Sequence, residues 1–312
     1  MVLAVVVVTF LLTHVIPGNP VQAIVGEFPV PPSYIAQVKH EFGLDQPLPM
    51  QLWLYLVSLG HGNLGFSFVN REPVLPLILQ RAGRTLILMI PALTIAAVAG
   101  VLIAVLAAVR PGSVVDSGVT LITLFGYSVP VFWLGQILIL LFAVHLGWLP
   151  PQGMTSLIGS APPVTAFLDL VQHWILPGFA VSIYYLAVVA RIARSSLLDS
   201  FRQDYVLTAR SIGLSSRRVM FRHVLPNALI PVITVIGYNF GYALTGAILA
   251  ETVFGWPGLG NLFITSIANR DYPVLEGIFL LSAIAVIVAN LATDLTYFWA
   301  DPRLRRGMGP NA

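Results

Sequence analysis

The chain has 312 residues, 57% of them hydrophobic and only 9% charged. A soluble domain carries roughly a quarter charged residues, so a bilayer accounts for both the apolar excess and the missing charge. A net charge of +3 argues against nucleic acid as a partner, and the absence of cysteine excludes disulfides, thiolate nucleophiles and cysteine metal sites.

Crossing ~30 Å of hydrocarbon takes about 20 apolar residues in a helix. Six apolar stretches are read as spans, predicting an all-α membrane protein with six transmembrane helices. The first is Val2 to Ile16, closed by Pro17-Gly18. It is short and has no basic flank. A cleaved signal peptide is the rival, but a positive n-region and a small-x-small cleavage site are missing. The preferred expectation is that the sequence begins inside the true first helix. Residues 17–84 then form the one large segment outside the spans. Within it, "PSYIAQVKHEFGLD" has helical spacing in Ile35, Val38 and Phe42. "MQLWLYLVSLG" is aromatic and apolar but too short to cross, so it is expected in the interface or against the spans. A structural cap and a binding site both remain open for this segment. Lys39 is the chain's only lysine and His40 follows it. No G-x-x-x-x-G-K-[ST] phosphate loop can therefore exist here.

The second span is Thr85 to Val109, closed by Arg110-Pro111-Gly112. The third, about Val114 to Leu146, is too short for two crossings and is expected as one long helix kinked near Gly126 to Pro130. The fourth is Trp174 to Leu198, the fifth about Ile230 to Leu249, and the sixth Val274 to Trp299. This divides the chain into a first helix at 1–16, an outer segment at 17–84, a five-helix core at 85–300 and a tail at 301–312. One set of loops holds Arg110, Arg191, Arg194, Arg202, Arg210, Arg217, Arg218, Arg222, Arg303, Arg305 and Arg306, whereas the short loops opposite hold Arg270 alone. By the positive-inside rule the arginine-rich side is cytoplasmic, and six crossings put both termini there.

Four arginines and a histidine gather in "ARSIGLSSRRVMFRHVLPNALIP", residues 209–231. Asp204 to Ile212 is predicted as a short helix, with Gly213 in the left-handed conformation that ends one. Ser215 or Ser216 is expected to cap the next helix, which carries Arg217, Arg218 and Arg222. Pro226 is expected to start the fifth span, where a missing N–H costs least. Small residues at Ala209 and Ser211 would let another surface approach closely. The plainer alternative is a set of arginines meeting lipid phosphates.

The ordering of this loop, a glycine and then His223-Val224-Leu225-Pro226 entering a span, resembles the EAA loop of ATP-binding-cassette importer permeases. The matching positions are Leu207, Thr208, Ala209, Gly213, His223, Leu225 and Pro226. The family's glutamate position holds Leu207 and its isoleucine position holds His223. Further motifs follow in chain order: "PGNP", "GLDQPLP", "GNLGFSF", "LGWLPPQG", "DYVLTAR", "HVLPNALIPVIT", "ETVFGWPGLGNL", "RDYPVLEG" and "DPRLRR". Together they look like the first permease subunit of dipeptide, oligopeptide and nickel importers, in a bacterial inner membrane. The resemblance implies the type I importer fold, and a coupling loop at about 200–225 that seats on a separate ATPase. It assigns that role to Tyr205, Leu207, Thr208, Ala209, Arg210, Gly213, Leu214, Arg217 and Arg218. It also implies a second, related permease, two ATPase subunits or domains that hold ATP and Mg, and an extracytoplasmic solute-binding protein. No cofactor is expected in this chain itself. Peptide is the expected cargo; nickel, glutathione and haem are the alternatives.

The remaining candidates bear on the pore. "ETVFGWPGLG", with Glu251 and Trp256, is either a re-entrant turn near the pore mouth or a rigid turn anchored by Trp256 at the headgroups. Gly237 and Gly241 give G-x-x-x-G spacing for close helix packing, with the partner permease as one candidate neighbour. Asn239 between them faces the pore or a neighbouring helix. Asp294, a membrane-helix carboxylate, is either a functional site or, as favoured, reaches a cytoplasmic arginine; Glu276 either contacts a substrate's amino group or, as favoured, is solvated at the outer interface. His14, His40, His61, His145, His173 and His223 show no metal-binding spacing. With no nucleophile elbow and no carboxylate pair on one face, enzymatic chemistry is not expected. An ion-coupled carrier, the rival of another class, would need ionisable residues at mid-membrane, and the spans offer almost none.

Overall fold

The computed structural model describes residues 2–15, 31, 45–67, 69–156, 162–241, 243 and 247–300. The helix expected around Ile35, Val38 and Phe42, the Pro17-Gly18 stop and the tail at 301–312 lie outside the described residues.

Helix α1 covers Val2–Val15 and α2 covers Leu48–Gly60. A two-stranded antiparallel ribbon follows, β1 (Phe66–Ser67) with β2 (Glu72–Pro73), pairing Phe66 with Pro73. Then come α3 (Val74–Val109), α4 (Val114–Ser128) and α5 (Val131–Leu138), the last continued by a π-helical stretch, Ile139–His145. Next are α6 (Pro163–Phe201), α7 (Asp204–Ser211) and α8 (Ser216–Val219), a π-helical stretch at Met220–Val224, and α9 (Leu225–Gly241). The last three are α10 (Ile248–Val253), α11 (Leu259–Ala268) and α12 (Tyr272–Ala300).

Among the described residues, four helical stretches are long and apolar enough to cross a membrane: Val74–Val109, Pro163–Phe201, Ser216–Gly241 and Tyr272–Thr293. The pair Val114–Ser128 and Val131–His145 makes a fifth if its halves form one span. Helix α1, with 14 residues, rises only about 21 Å.

The third predicted span is more than kinked. Its halves meet at 97°. Val129 is extended there (φ −80°, ψ 123°) because Pro130 excludes the helical region for the residue before it. The helix that carries the second span starts at Val74 rather than Thr85. Pro226 does not open the fifth span. It lies within a helical stretch that runs on from Ser216. The π turn before it, with Leu225 N–H bonded to the carbonyl of Met220, widens the helix where the proline ring would otherwise crowd the preceding turn.

The chain packs as two units, Met1–Thr85 with Pro257–Ala285, and Leu86–Trp256 with Val286–Ala312. In the first, Val74, Leu77, Ile78, Leu259, Leu262 and Val274 are buried. Gly277 lets α12 approach closely, since a Cβ there would lie 2.8 Å from Val74. The Leu259 N–H bonds to the Thr85 hydroxyl at 2.8 Å and fixes the start of α11. In the second unit α6 is the central helix. Trp174 donates to the carbonyl of Leu88 (3.0 Å) and Ser182 to that of Ala92 (3.1 Å), tying α6 to α3. Small residues set the close approaches, as membrane helices require. Gly100 faces Val189, and Gly126 faces Ala187 and Ile183. Gly237 and Gly241 pack on Thr293 and Ala289 of α12. The predicted close packing is thus met by α12 of this chain.

Candidate functional site: the basic hairpin and the outer polar residues

Helix α7 begins at Asp204, as predicted, with its acidic side chain in the first turn where the helix dipole favours it. It ends in a Schellman turn. Gly213 takes φ +81°, its N–H bonds to the carbonyl of Arg210 (3.0 Å), and that of Leu214 to Ala209 (3.2 Å). Among the described residues no atom lies within 4 Å of the position a Gly213 Cβ would take, so backbone conformation rather than space favours glycine. Ser215 occupies the N-cap position of α8 but makes no side-chain cap bond. The Val219 N–H bonds instead to the Ser215 carbonyl at 3.0 Å.

The hairpin has two faces. Inward, Val206, Ala209, Val219, Met220 and Val224 join one buried cluster with Ala104, Ala108, Ala193 and Leu197, and Leu214 packs against it. Burying a valine fully contributes on the order of 1.5 kcal/mol, so the hairpin is held to the ends of α3 and α6 by apolar area. Outward, Tyr205, Leu207, Ile212 and Phe221 are exposed, Ile212 at 73%. Thr208, Arg210, Arg217 and Arg218 are exposed beside them. The Arg210 guanidinium lies over the Phe201 ring at 5.8 Å. Ser215, Arg217, Arg218, Phe221 and Arg222 line one open groove. Thr208 bonds back to the carbonyl of Asp204 (3.0 Å). Ala209 does not offer itself to another surface as expected; it is 4% exposed and faces the core. Sequence reasoning did not single out Ile212 and Phe221, whose exposure follows from the hairpin's register.

A carboxylate behind the hairpin was also missed. Ser113 caps α4, accepting from the Asp116 N–H (3.3 Å), while the Asp116 carboxylate accepts from Gly112 N–H (2.9 Å). Arg194 on α6 grips the same carboxylate as a fork, Nε to Oδ1 at 2.5 Å and Nη2 to Oδ2 at 2.9 Å. The S-x-x-D spacing could have signalled the cap. Nothing local signals a partner 78 residues away. Arg191, on the same helix, lies over the Tyr127 ring at 4.5 Å.

The pore candidates are scattered. Asn239 is half-buried on α9. Glu251 and Trp256 are both 0% exposed, so Trp256 is a core side chain and not a headgroup anchor. The turn between them is closed by the Trp256 N–H on the Glu251 carbonyl (2.8 Å) and by Gly255 at φ +57°. Gly153 N–H bonds to the carbonyl of Phe254 (2.8 Å) and pins the loop of "LGWLPPQG" there. Glu276 is 8% exposed, not solvated as expected. It hydrogen-bonds Tyr55, whose phenol is pushed up by burial and then by this carboxylate. Asp294 lies on α12, and its side chain is outside the described residues. Among the described residues no group of three or more His, Asp or Glu is placed to hold a metal.

In the first unit, Asp271 is 3% exposed. It accepts from the Ser67 hydroxyl at 2.5 Å and from Asn70 Nδ2 at 3.5 Å. The ribbon turn and the turn before α12 are thereby clamped together.

Residues 100–306 match the family model "Binding-protein-dependent transport system inner membrane component", and residues 1–89 match its N-terminal companion. The chain is 45% identical over 311 residues to the di/tripeptide transport system permease protein DppB of Pseudomonas aeruginosa (strain UCBPP-PA14), covering 95% of this chain and 93% of that protein. To the dipeptide transport system permease protein DppB of Escherichia coli (strain K12) it is 41% identical over 314 residues, with the same shares covered. Its fold is similar to that of a chain of the inward-facing MetNI methionine ABC transporter, with TM-score 0.57 and 17% identity over 72% of this chain and 96% of that one. The chain belongs to the family of binding-protein-dependent transport system inner membrane components, among its dipeptide and oligopeptide permeases.

Proposed function

We propose that this chain is the transmembrane permease subunit of an ATP-driven importer of di- and oligopeptides in a bacterial inner membrane. It forms half of a pore with a second, related permease. ATP and Mg sit on two separate ATPase subunits or domains, and an extracytoplasmic binding protein delivers the peptide. In this reading the chain has the type I importer topology, six crossings with both termini cytoplasmic, and α1 is the first of them. The chain itself carries out no covalent chemistry.

The hairpin carries the reading. Its Schellman turn and buried inner face make α7 and α8 a rigid lever. Leu207, Ile212 and Phe221 among arginines give it an outer face suited to a protein groove with apolar floor and acidic rim. Closure of the ATPase pair pushes this lever and shifts the spans it is packed on, the rigid-body form of switching.

The test exploits Gly213. A β-branched residue at φ +81° is strained by about 1–2 kcal/mol, whereas asparagine accepts that conformation and has room. Gly213→Val, and Arg217→Glu with Arg218→Glu, are expected to abolish peptide uptake in proteoliposomes while the complex still assembles. Gly213→Asn is expected to retain most of it. Normal uptake in the Val and double-Glu variants would sink the coupling role.

A further inference from the structure

We infer that the face of α4 and α6 carrying Tyr127, Tyr184 and Arg191 lines the translocation path, and that Arg191 binds the C-terminal carboxylate of the passing peptide there. The identity of the ligand rests on the importer reading above; the anion chemistry stands on the arginine and its stack of rings.

All of these residues belong to the second unit. Gly126 against Ala187 and Ile183 brings α4 and α6 together, and a ladder of rings builds on that contact. The Arg191 guanidinium lies over the Tyr127 ring at 4.5 Å. Tyr127 stacks on Tyr184, with centroids 5.7 Å apart and planes 18° from parallel. Tyr184 meets Tyr185 edge-on at 5.2 Å. Tyr185 in turn packs on the buried cluster that contains Met89, Ala92, Leu93 and Ala247, so the inner end of the ladder is fixed. Its outer end is open, because Tyr127 and Arg191 are exposed.

Depth and hydrogen bonding together say what this open end faces. A long basic side chain near a helix end turns its head toward water. Arg194 pairs with Asp116 in the first turn of α4. Arg191, one turn earlier on α6, reaches instead to Tyr127, about 16 Å farther along α4 than Asp116. Tyr184, the next rung, is near the middle of the stretch Trp174 to Leu198 read as the fourth span. A cation is thus carried toward midspan, where hydrocarbon makes it costly. Among the described residues, the Arg191 N–H groups and the hydroxyls of Tyr127, Tyr184 and Tyr185 have no hydrogen-bond partner. A contact over a ring consumes none of a guanidinium's five donors. Polar groups left so against lipid are unfavourable, so this face meets water and cargo. Peptides of varied sequence share their amides and their termini. A terminal carboxylate is planar and suits a guanidinium fork. The tyrosines offer flat apolar faces to side chains of many shapes and hydroxyls to the amides.

The assay uses the purified assembled transporter in nanodiscs, with Leu124→Cys as the reporter. Leu124 is exposed on α4, one turn before Tyr127, and this chain has no cysteine of its own. A water-soluble maleimide should label the reporter, because the reactive thiolate forms in water and not in lipid. Ala-Ala should protect it at about tenfold lower concentration than Ala-Ala amide, the span of a lost charge-assisted bond. Arg191→Gln should raise the Ala-Ala value to that of the amide and leave the amide's unchanged, and Arg191→Lys should fall between. A merely structural arginine would move both ligands alike. An unlabelled reporter, equal protection by the two peptides, or an Ala-Ala value that Arg191→Gln does not shift would overturn the site. Phosphatidylglycerol in place of phosphatidylcholine should leave the Ala-Ala value unchanged. Competition by the anionic lipid that Arg191→Gln abolishes would give the guanidinium to lipid phosphate and overturn the peptide assignment. Failure of Ala-Ala uptake by the unmodified transporter would count instead against the importer reading, and protection by acetate, lost in Arg191→Gln, still decides the anion site.

Discussion

At Asp271, burial pushes the carboxyl above its ordinary range and outweighs the lowering pull of the Ser67 and Asn70 hydrogen bonds. The native state therefore holds this proton more tightly than the unfolded chain. Between the ordinary carboxylate pKa of about 4 and the raised native value, the folded form binds more protons, so stability falls as pH rises through that window. Asparagine at this position has nearly the same shape and a carbonyl that accepts from Ser67, with no charge to bury. Asp271→Asn is expected to flatten the decline in melting temperature between pH 4 and 7, and to melt no lower than the parent at pH 7. A variant that melts lower at every pH would show that the ionised carboxylate itself holds the two turns together. Glycines divide along a similar line: at Gly213 the dihedral angle favours glycine or asparagine, and at Gly237 the space requires glycine, since a Cβ would fall 2.2 Å from the Thr293 hydroxyl.

Helix α6, with 39 residues, extends about 58 Å, nearly twice the hydrocarbon thickness. It leads straight into the hairpin, and the Asp116–Arg194 fork is its tie to α4. Asp116 is 4% exposed, while the Arg194 side chain is 29% exposed. The pair is thus only partly withdrawn from water, and breaking it should cost about 1–3 kcal/mol, less than a fully buried pair. Asp116→Asn and Arg194→Gln are each expected to lower the melting temperature of the assembled transporter. Because both remove one interaction, the double variant should be no worse than the poorer single one. Additive losses would mean that the two side chains act separately. The existence of α4 and α6 was readable from apolar runs, and the start of α7 from Asp204 with Gly213 beyond it. Their ends were not. Arg81 and Arg84 hid the helical turns before Thr85, because a charged helix extension outside the hydrocarbon looks like a loop to a hydropathy count. The π turn that admits Pro226 into a helix leaves no mark in residue spacing.

Across the whole molecule, sequence spacing specified which faces are apolar but not which distant residues meet. Ser67 with Asp271 and Arg194 with Asp116 are such pairs. Arginine asymmetry predicts that the hairpin faces the cytoplasm, and that expectation can be tested because the chain contains no cysteine. Single cysteines at His61, Trp148 and Ser216, all exposed positions, report on three separate levels of the chain. With a membrane-impermeant maleimide applied to spheroplasts, His61→Cys should label from outside, and Ser216→Cys only after lysis. Trp148→Cys decides the bent pair. Val114–Ser128 and Val131–His145 meet at 97°, a geometry open to either a broken crossing or a re-entrant loop. By loop charge Arg110 is expected inside. If the pair crosses, residue 148 is outside and labels with His61→Cys. If it turns back, residues 61 and 148 lie on opposite sides and His61→Cys labels together with Ser216→Cys, because α3 and α6 each cross once; the number of crossings then falls by one, and the two termini cannot both be cytoplasmic.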